Sequence, residues 1–513
     1  MRSRWPFNKV SGASLNLKWI VLLLLLTEAI NCAQSVAAFT ATGKMTTPRN
    51  GHTATLLPNG KVLIAGGSAP NGNGEVAVAT AELYDPSTGV FAAVSSMTVP
   101  RAWHTATLLP NGLVLIAGGV SGFPGSNGQP PFGVEASTEI FDSSTGTFTA
   151  SANMNAARSA AIAILLNDGR VLIAGGVDRS QPSPKFLVSS ELFDPVTGTF
   201  SPSGDALEAG LSGPAVLLAD GKALFPRGYG QIPDSPLRAE IYDPATGKFS
   251  LTGASAYPDT YTGSLNLLTG GKVLETVHFS CDADNEAELF DPFAGTFSPT
   301  GKMTASRDAS DGTLLPDGTV LITGGSGAGD ALDSGAIRAE LYDPATGTFS
   351  PAGSMTENRF LPTATLLNDG TVLIAGGIGW KPDFQCCVTL ASAEIYHPAV
   401  LRPSPVLLSV SGNGQGAILH TSRQQLVSPD NPAAAGEALE VFSTGLIDGS
   451  VIPPQVAIGG LMAEVLFFGK APGYGGLNQI NVRVPNGVVT GPSVSVRLNY
   501  IGRPSNEVTI SVQ

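Results

Sequence analysis

The sequence predicts an all-β chain, a seven-bladed β-propeller closed by its own N-terminal strand and followed by a smaller β-sandwich. Three observations carry this. A two-part motif returns seven times at a period near 50 residues. The last copy stops short of its final strand, and the residues ahead of the first copy match the strand that is missing. Past residue 398 the repeat gives way to short alternating strands of a different kind.

Residues 1–33 read as targeting rather than fold. Arg2, Arg4, Lys9 and Lys18 precede an apolar run at 19–26, and small residues follow at Ala33, Ala37 and Ala38, the layout of a secretory signal peptide. The run is too short to span a bilayer. Retained, it would be an anchor, but Asn31 beside Cys32 makes a poor lipid-attachment box. The expected location is secreted, cell-surface or periplasmic, with no transmembrane anchor after cleavage.

Composition agrees with many short strands joined by tight turns. Glycine (62) and proline (38) are abundant, 42% of residues are hydrophobic and 13% are charged. A formal charge of −13 with no basic stripe excludes nucleic acid as a partner. Beyond the leader, Cys281, Cys386 and Cys387 are too few for a disulfide scaffold and lack zinc-ligand spacing. An incidental loop role and a Cys386–Cys387 bridge both remain open.

The first half of the motif runs from Met45 to Gly67, with an arginine at Arg49, a histidine at His52, a Pro58-Asn59-Gly60 turn and a closing Gly66-Gly67. It returns at 97–119 and again from Met154, Met303 and Met355, with degenerate copies at 206–228 and 256–278. The second half opens on a glutamate and reads Glu-Leu-Tyr-Asp-Pro-x-Thr-Gly-x-Phe in ideal form. Each half is a hairpin, so each repeat supplies four antiparallel strands, one propeller blade. The double glycine and the tyrosine with six residues between it and an aromatic resemble the kelch repeat over residues 39–398. Kelch usually carries tryptophan where this chain has Phe91 and its equivalents.

The seventh copy ends at His397-Pro398, without the Thr-Gly-x-Phe strand, and residues 39–45 match 297–303. The N-terminal segment is therefore expected to complete the seventh blade and remove an open edge. Within each blade the first-to-second and third-to-fourth turns are short, whereas the second-to-third connections vary in length. Those variable loops share a face with the links carrying Met-x-x-x-Arg, and loops on a rigid scaffold are where binding concentrates.

The arginine column (Arg49, Arg101, Arg158, Arg307, Arg359) and the glutamate column (Glu82, Glu139, Glu191, Glu240, Glu288, Glu340, Glu394) are read as structural partners holding neighbouring blades. Departures from the pattern point to a ligand site. His52 and His104 are expected near the channel mouth, with Trp103, Arg227, Tyr229, Tyr261, His278 and Trp380 on the same face. Aromatics with a few polar groups suit a carbohydrate, peptide or protein partner. Decay of two repeats explains the same residues without a ligand.

A seven-bladed propeller with a C-terminal β-domain also resembles galactose oxidase and other copper-radical oxidases. That resemblance implies copper held by two tyrosines and two histidines, one tyrosine cross-linked to a cysteine on an inner strand, and one histidine from the C-terminal domain. Tyr396-His397 copies the Tyr-His dipeptide of the family, but at an outer-hairpin position. The cysteines fall in second-to-third loops, and His420 is the only distal candidate. The ligand set does not transfer, no other catalytic motif is present, and no metal or cofactor is expected. The preferred reading is a non-catalytic binding protein; the alternative is a copper-radical oxidase acting on sugars or alcohols.

Residues 399–405 read as a linker. Strands are expected at 406–410, 439–442, 455–458, 463–468, 480–484, 494–498 and 508–512, a β-sandwich over 406–513. The phrases at 414–418, 428–432, 458–465 and 471–482 resemble an uncharacterised immunoglobulin-like C-terminal domain of secreted bacterial repeat proteins. That resemblance implies no activity.

Overall fold

A computed structural model describes residues 38–513 apart from residues 73, 124–132, 181–182, 212, 227–237, 258–260, 279–284, 306, 327–336, 380–387 and 411–413. Seven four-stranded antiparallel sheets account for residues up to His397, and no helix occurs among the described residues.

Blade 1 shows how the motif folds. Thr53–Leu56 is innermost, Val62–Ala65 second, Ala81–Asp85 third and Val90–Ala93 outermost. Asn59 and Gly60 make the first turn: Asn59 Oδ1 accepts from the Lys61 N–H (3.1 Å), and Gly60 sits at φ +80°, where a side chain is disfavoured. The second strand, Val-Leu-Ile-Ala, is buried at every position because both faces meet neighbouring blades. Leu57, Leu63 and Ala65 of blade 1 pack against Met97, Val114 and Phe141 of blade 2. Each methionine of the inter-blade links is thus a wedge worth about 2 kcal/mol of burial. Tyr84 and Phe91 stack across the third and fourth strands at 4.7 Å, as do the matching pairs of the other complete blades.

Blade 7 is closed by the N-terminal strand. Ala38–Ala41 pairs antiparallel with Ala393–His397, setting Phe39 opposite Tyr396 and Thr40 opposite Ile395. The Phe39 and Tyr396 rings lie 5.0 Å apart, and Met45 is buried among residues of blades 7 and 1.

A hydrogen bond between outer strands repeats where the sequence permits it. The third-strand tyrosine meets a hydroxyl from the end of the preceding blade in Tyr84–Thr42 (3.0 Å), Tyr242–Ser203 (2.7 Å) and Tyr342–Thr300 (2.8 Å). Blade 2 has Phe141 opposite Val94, so neither partner is needed. Blade 7 breaks the rule: Ala352 stands at the hydroxyl position, and the fully buried Tyr396 hydroxyl has no partner. Burial pushes that phenol up to about 12. Ala352→Ser is expected to satisfy it and stabilise the fold by about 1 kcal/mol, read as a higher midpoint in urea with unchanged slope. Tyr84→Phe, which removes the Thr42 contact and leaves that hydroxyl only the Gly89 carbonyl, is expected to move the midpoint the other way.

After the linker, nine strands form one curled sheet around its own core of Leu439, Val441, Val456, Ile480, Val482, Val496 and their neighbours. Leu461–Lys470 is long enough to bend and pair with Gln455–Ile458 and Asn478–Arg483. The run expected as a strand at 406–410 makes only isolated bridges, Leu407 to Ser443 and Ser409 to Gly416. The sheet sits on the propeller face of short turns. Arg497 donates to the Asn111 carbonyl of the blade 2 turn, and Val451 N–H donates to Thr269 O (2.9 Å) in blade 5. Met462 packs on Gly169 of blade 3. Ile501 and Gly502, at the tip of a hairpin formed by Gly491–Tyr500 and Arg503–Pro504, reach the propeller channel. Much of the uniform face is therefore occupied, and among the described residues nothing covers the variable face.

Candidate functional site on the variable face

Four of the variable connections carry short strands of their own. In blades 7, 1, 2 and 3 they fold into small two-stranded ribbons: Ile378–Gly379 with Val388–Thr389, Ser68–Pro70 with Glu75–Ala77, Val120–Gly122 with Gly133–Val134, and Val177–Asp178 with Lys185–Phe186. Strands this short leave little alternation to read. Adjacent ribbons are tied by side chains. Glu75 accepts from Asn50 Nδ2 (2.8 Å), Ser68 Oγ (2.8 Å) and Thr389 Oγ1 (2.9 Å), joining the first blade to the last.

Backbone hydrogen bonds run along part of the channel mouth: Trp103 N–H donates to Gly51 O (2.8 Å), and Ala160 N–H to Trp103 O (2.9 Å). Gly51, Trp103, Ala160 and Leu361 occupy one repeat position, all at φ between +50° and +58°. Only the glycine adopts this left-handed conformation without strain; each of the others gives up on the order of 1 kcal/mol. Trp103 is half-buried. Its indole lies against Gly51, where a Cβ would come within 2.6 Å of the ring nitrogen, and it meets Phe123 edge-on at 5.5 Å. The two rings form an aromatic shelf beside the mouth.

The histidines differ from expectation. His52 and His104 are each 6% exposed, sealed between blades rather than open at the mouth. His52 Nε2 bonds Thr363 Oγ1 of blade 7 (3.1 Å), and His104 Nε2 bonds Thr53 Oγ1 of blade 1 (3.0 Å). Each ring fills a socket over the first glycine of the preceding blade's pair. A Cβ on Gly376 or Gly66 would meet the imidazole at 2.7 Å. Burial, reinforced by Arg49 and Arg101 respectively, lowers both imidazoles to about 3, so they stay neutral.

The charged columns pair inside a blade. Arg49–Glu82, Arg101–Glu139, Arg158–Glu191, Arg307–Glu340 and Arg359–Glu394 are buried ion pairs at 2.8 to 3.1 Å. Each arginine staples the incoming link to its own blade, and the bond between neighbours comes from backbone, as in Gly67 N–H to Arg101 O (2.7 Å). Glu240 and Glu288 stand in the blades without the arginine. They accept link N–H groups as Glu82 does, from Leu207 and Glu208 (both 2.8 Å) and from Ala256 (2.9 Å). Burial raises the Glu240 carboxyl.

Tyr261 and His278 are paired across the inner strands of blade 5. Arg227, Tyr229, Trp380, Cys281, Cys386 and Cys387 lie outside the described residues. Of the residues singled out in the sequence, the structure brings together His52, Trp103 and His104 at the junction of blades 7, 1 and 2. Sequence reading did not identify the left-handed mouth position, although the Gly51 column held the signal.

The described residues do not assemble the copper set. Tyr396 is buried under Phe39, and His397 Nε2 bonds Thr40 Oγ1 (2.9 Å) on the outer side of blade 7. His420 is fully buried in the C-terminal module, bonded to Glu437 Oε1 (2.6 Å) and Asn431 O (3.0 Å). Where that module enters the channel, its tip is Ile501-Gly502. Among the described residues no three His, Cys, Asp or Glu side chains gather in a metal-holding group.

The fold and face define a seven-bladed β-propeller with a docked C-terminal β-sheet. The same fold occurs in a solved structure, a novel fungal alcohol oxidase with catalytic diversity among the AA5 family, in complex with copper. It shares 17% sequence identity at a TM-score of 0.59, covering 93% of this chain and all of that one. At that identity the likeness establishes the fold. No protein-family model matches the sequence, and no curated protein matches it.

Proposed function

We propose that the chain is an exported binding protein whose variable propeller face recognises a carbohydrate or peptide. The repeat chemistry supports blades of the kelch type, and the C-terminal strands support an immunoglobulin-like module that acts as a base. The observation carrying the reading is the Trp103 shelf. A large aromatic is held in a strained backbone conformation on the face that the C-terminal sheet leaves open. Stacking on such a ring, with nearby ribbon hydroxyls and amides for hydrogen bonds, suits a sugar ring or an extended peptide. Glycan and peptide arrays probed with the full chain are expected to give a defined ligand set, and Trp103→Ala to weaken binding at least about tenfold. Silence on both arrays would remove the reading.

The second reading is a copper-radical oxidase of sugars or alcohols, favoured by the fold shared with the copper-bound alcohol oxidase. Copper loading followed by metal analysis and absorbance spectroscopy separates the two. Stoichiometric copper with a tyrosyl-radical band would replace the first reading with the second.

A further inference from the structure

The innermost strands enclose a chamber of about 590 Å³, bounded at the uniform face by Ile452, Pro453, Ile501 and Gly502. Most of its wall is apolar or neutral, typified by Ala54-Thr55-Leu56, and among the described residues no charged side chain lines it. The seam between blades 5 and 6 breaks the pattern. Asn266 stands where blade 1 has Thr55, and Gly312 of the next blade stands where it has Ala54. These two substitutions fit one another, because a Cβ on Gly312 would collide with the Asn266 amide.

Asn266 is 6% exposed, lines the chamber, and makes one side-chain hydrogen bond, from Nδ2 to Ser264 Oγ (3.2 Å). One N–H and the amide carbonyl are left over. Further along the seam, the buried hydroxyl of Ser310 (7% exposed) has no partner. Ser310 occupies the position of His52. Unmet polar groups in a packed interior are costly and persist where something answers them.

From this we infer a second binding site, in the channel itself, for a small neutral molecule that joins an amide to an apolar body. The amide of such a molecule complements both the free donor and the free acceptor of Asn266, and its body lies along the leucine rows. The absence of charged lining disfavours an ion.

The test is calorimetric titration of the full chain with ε-caprolactam, a compact cyclic amide, against cycloheptanone, which keeps the ring and the carbonyl but lacks the donor. Wild type is expected to bind the lactam at least about tenfold more tightly than the ketone. Asn266→Thr restores the residue found in blades 1, 2, 6 and 7 and is expected to lose that preference while melting like wild type. Asn266→Thr/Gly312→Ala, which rebuilds the common wall, serves if the single variant fails to fold. No lactam binding by wild type, equal affinity for lactam and ketone, or undiminished lactam binding by the folded variant would each overturn the inference.

Discussion

A chain lacking residues 39–45 is expected to lose its cooperative thermal transition near the intact protein's melting temperature. The deletion removes most of the strand paired with Ala393–His397, the Phe39–Tyr396 stacking contact and the Met45 wedge. It also removes Thr42, whose hydroxyl answers Tyr84 in blade 1. Ladder hydrogen bonds at about 1 kcal/mol each and two large apolar side chains at about 2 kcal/mol each sum to the order of a domain's whole stability. Exposing the Ala393–His397 edge adds a route to aggregation. Differential scanning calorimetry of the truncated chain checks this, and an unchanged transition would refute closure.

The second large effect is expected from Arg101→Met. The guanidinium is fully buried and donates to Gly118 O (2.9 Å), Ser137 O (2.9 Å), Ser137 Oγ (3.0 Å) and Glu139 Oε1 (3.1 Å). Removing it leaves Glu139, itself buried, without its cation and the Gly118 carbonyl without a donor, a loss of about 3–5 kcal/mol. Blades 4 and 5 show how the cost can be lowered, because their glutamates serve the link N–H groups without a column arginine. Arg101→Met/Glu139→Gln is therefore expected to recover part of the loss. Chemical denaturation of both variants measures the difference, and additive losses would mean the pair is uncoupled.

Blade number and closure were legible because both rest on counting. Seven copies of each half-motif, a surplus strand ahead of the first and a missing strand in the last leave a single way to close the ring. The arginine and glutamate columns were legible as partners, but not as partners within one blade, because each arginine lies on a link arriving from the blade before. His52 and His104 looked like mouth residues because a column shows what recurs and not what it packs against. The socket that buries each ring belongs to a glycine of the preceding blade. Docking of the C-terminal sheet left no local mark, since Arg497 and Asn111 meet across most of the chain. The Trp103 shelf was half legible: the residue stood out by type, but its backbone strain became evident only beside Gly51.

The most direct test compares two aromatic residues on opposite faces. Phe293 is fully exposed on a third-to-fourth turn of the uniform face, whereas Trp103 sits at the mouth of the variable face. Titrating the strongest array ligand into Trp103→Ala and Phe293→Ala by calorimetry is expected to show binding lost in the first and retained in the second. Binding retained in Trp103→Ala and lost in Phe293→Ala would contradict the assignment of function to the variable face.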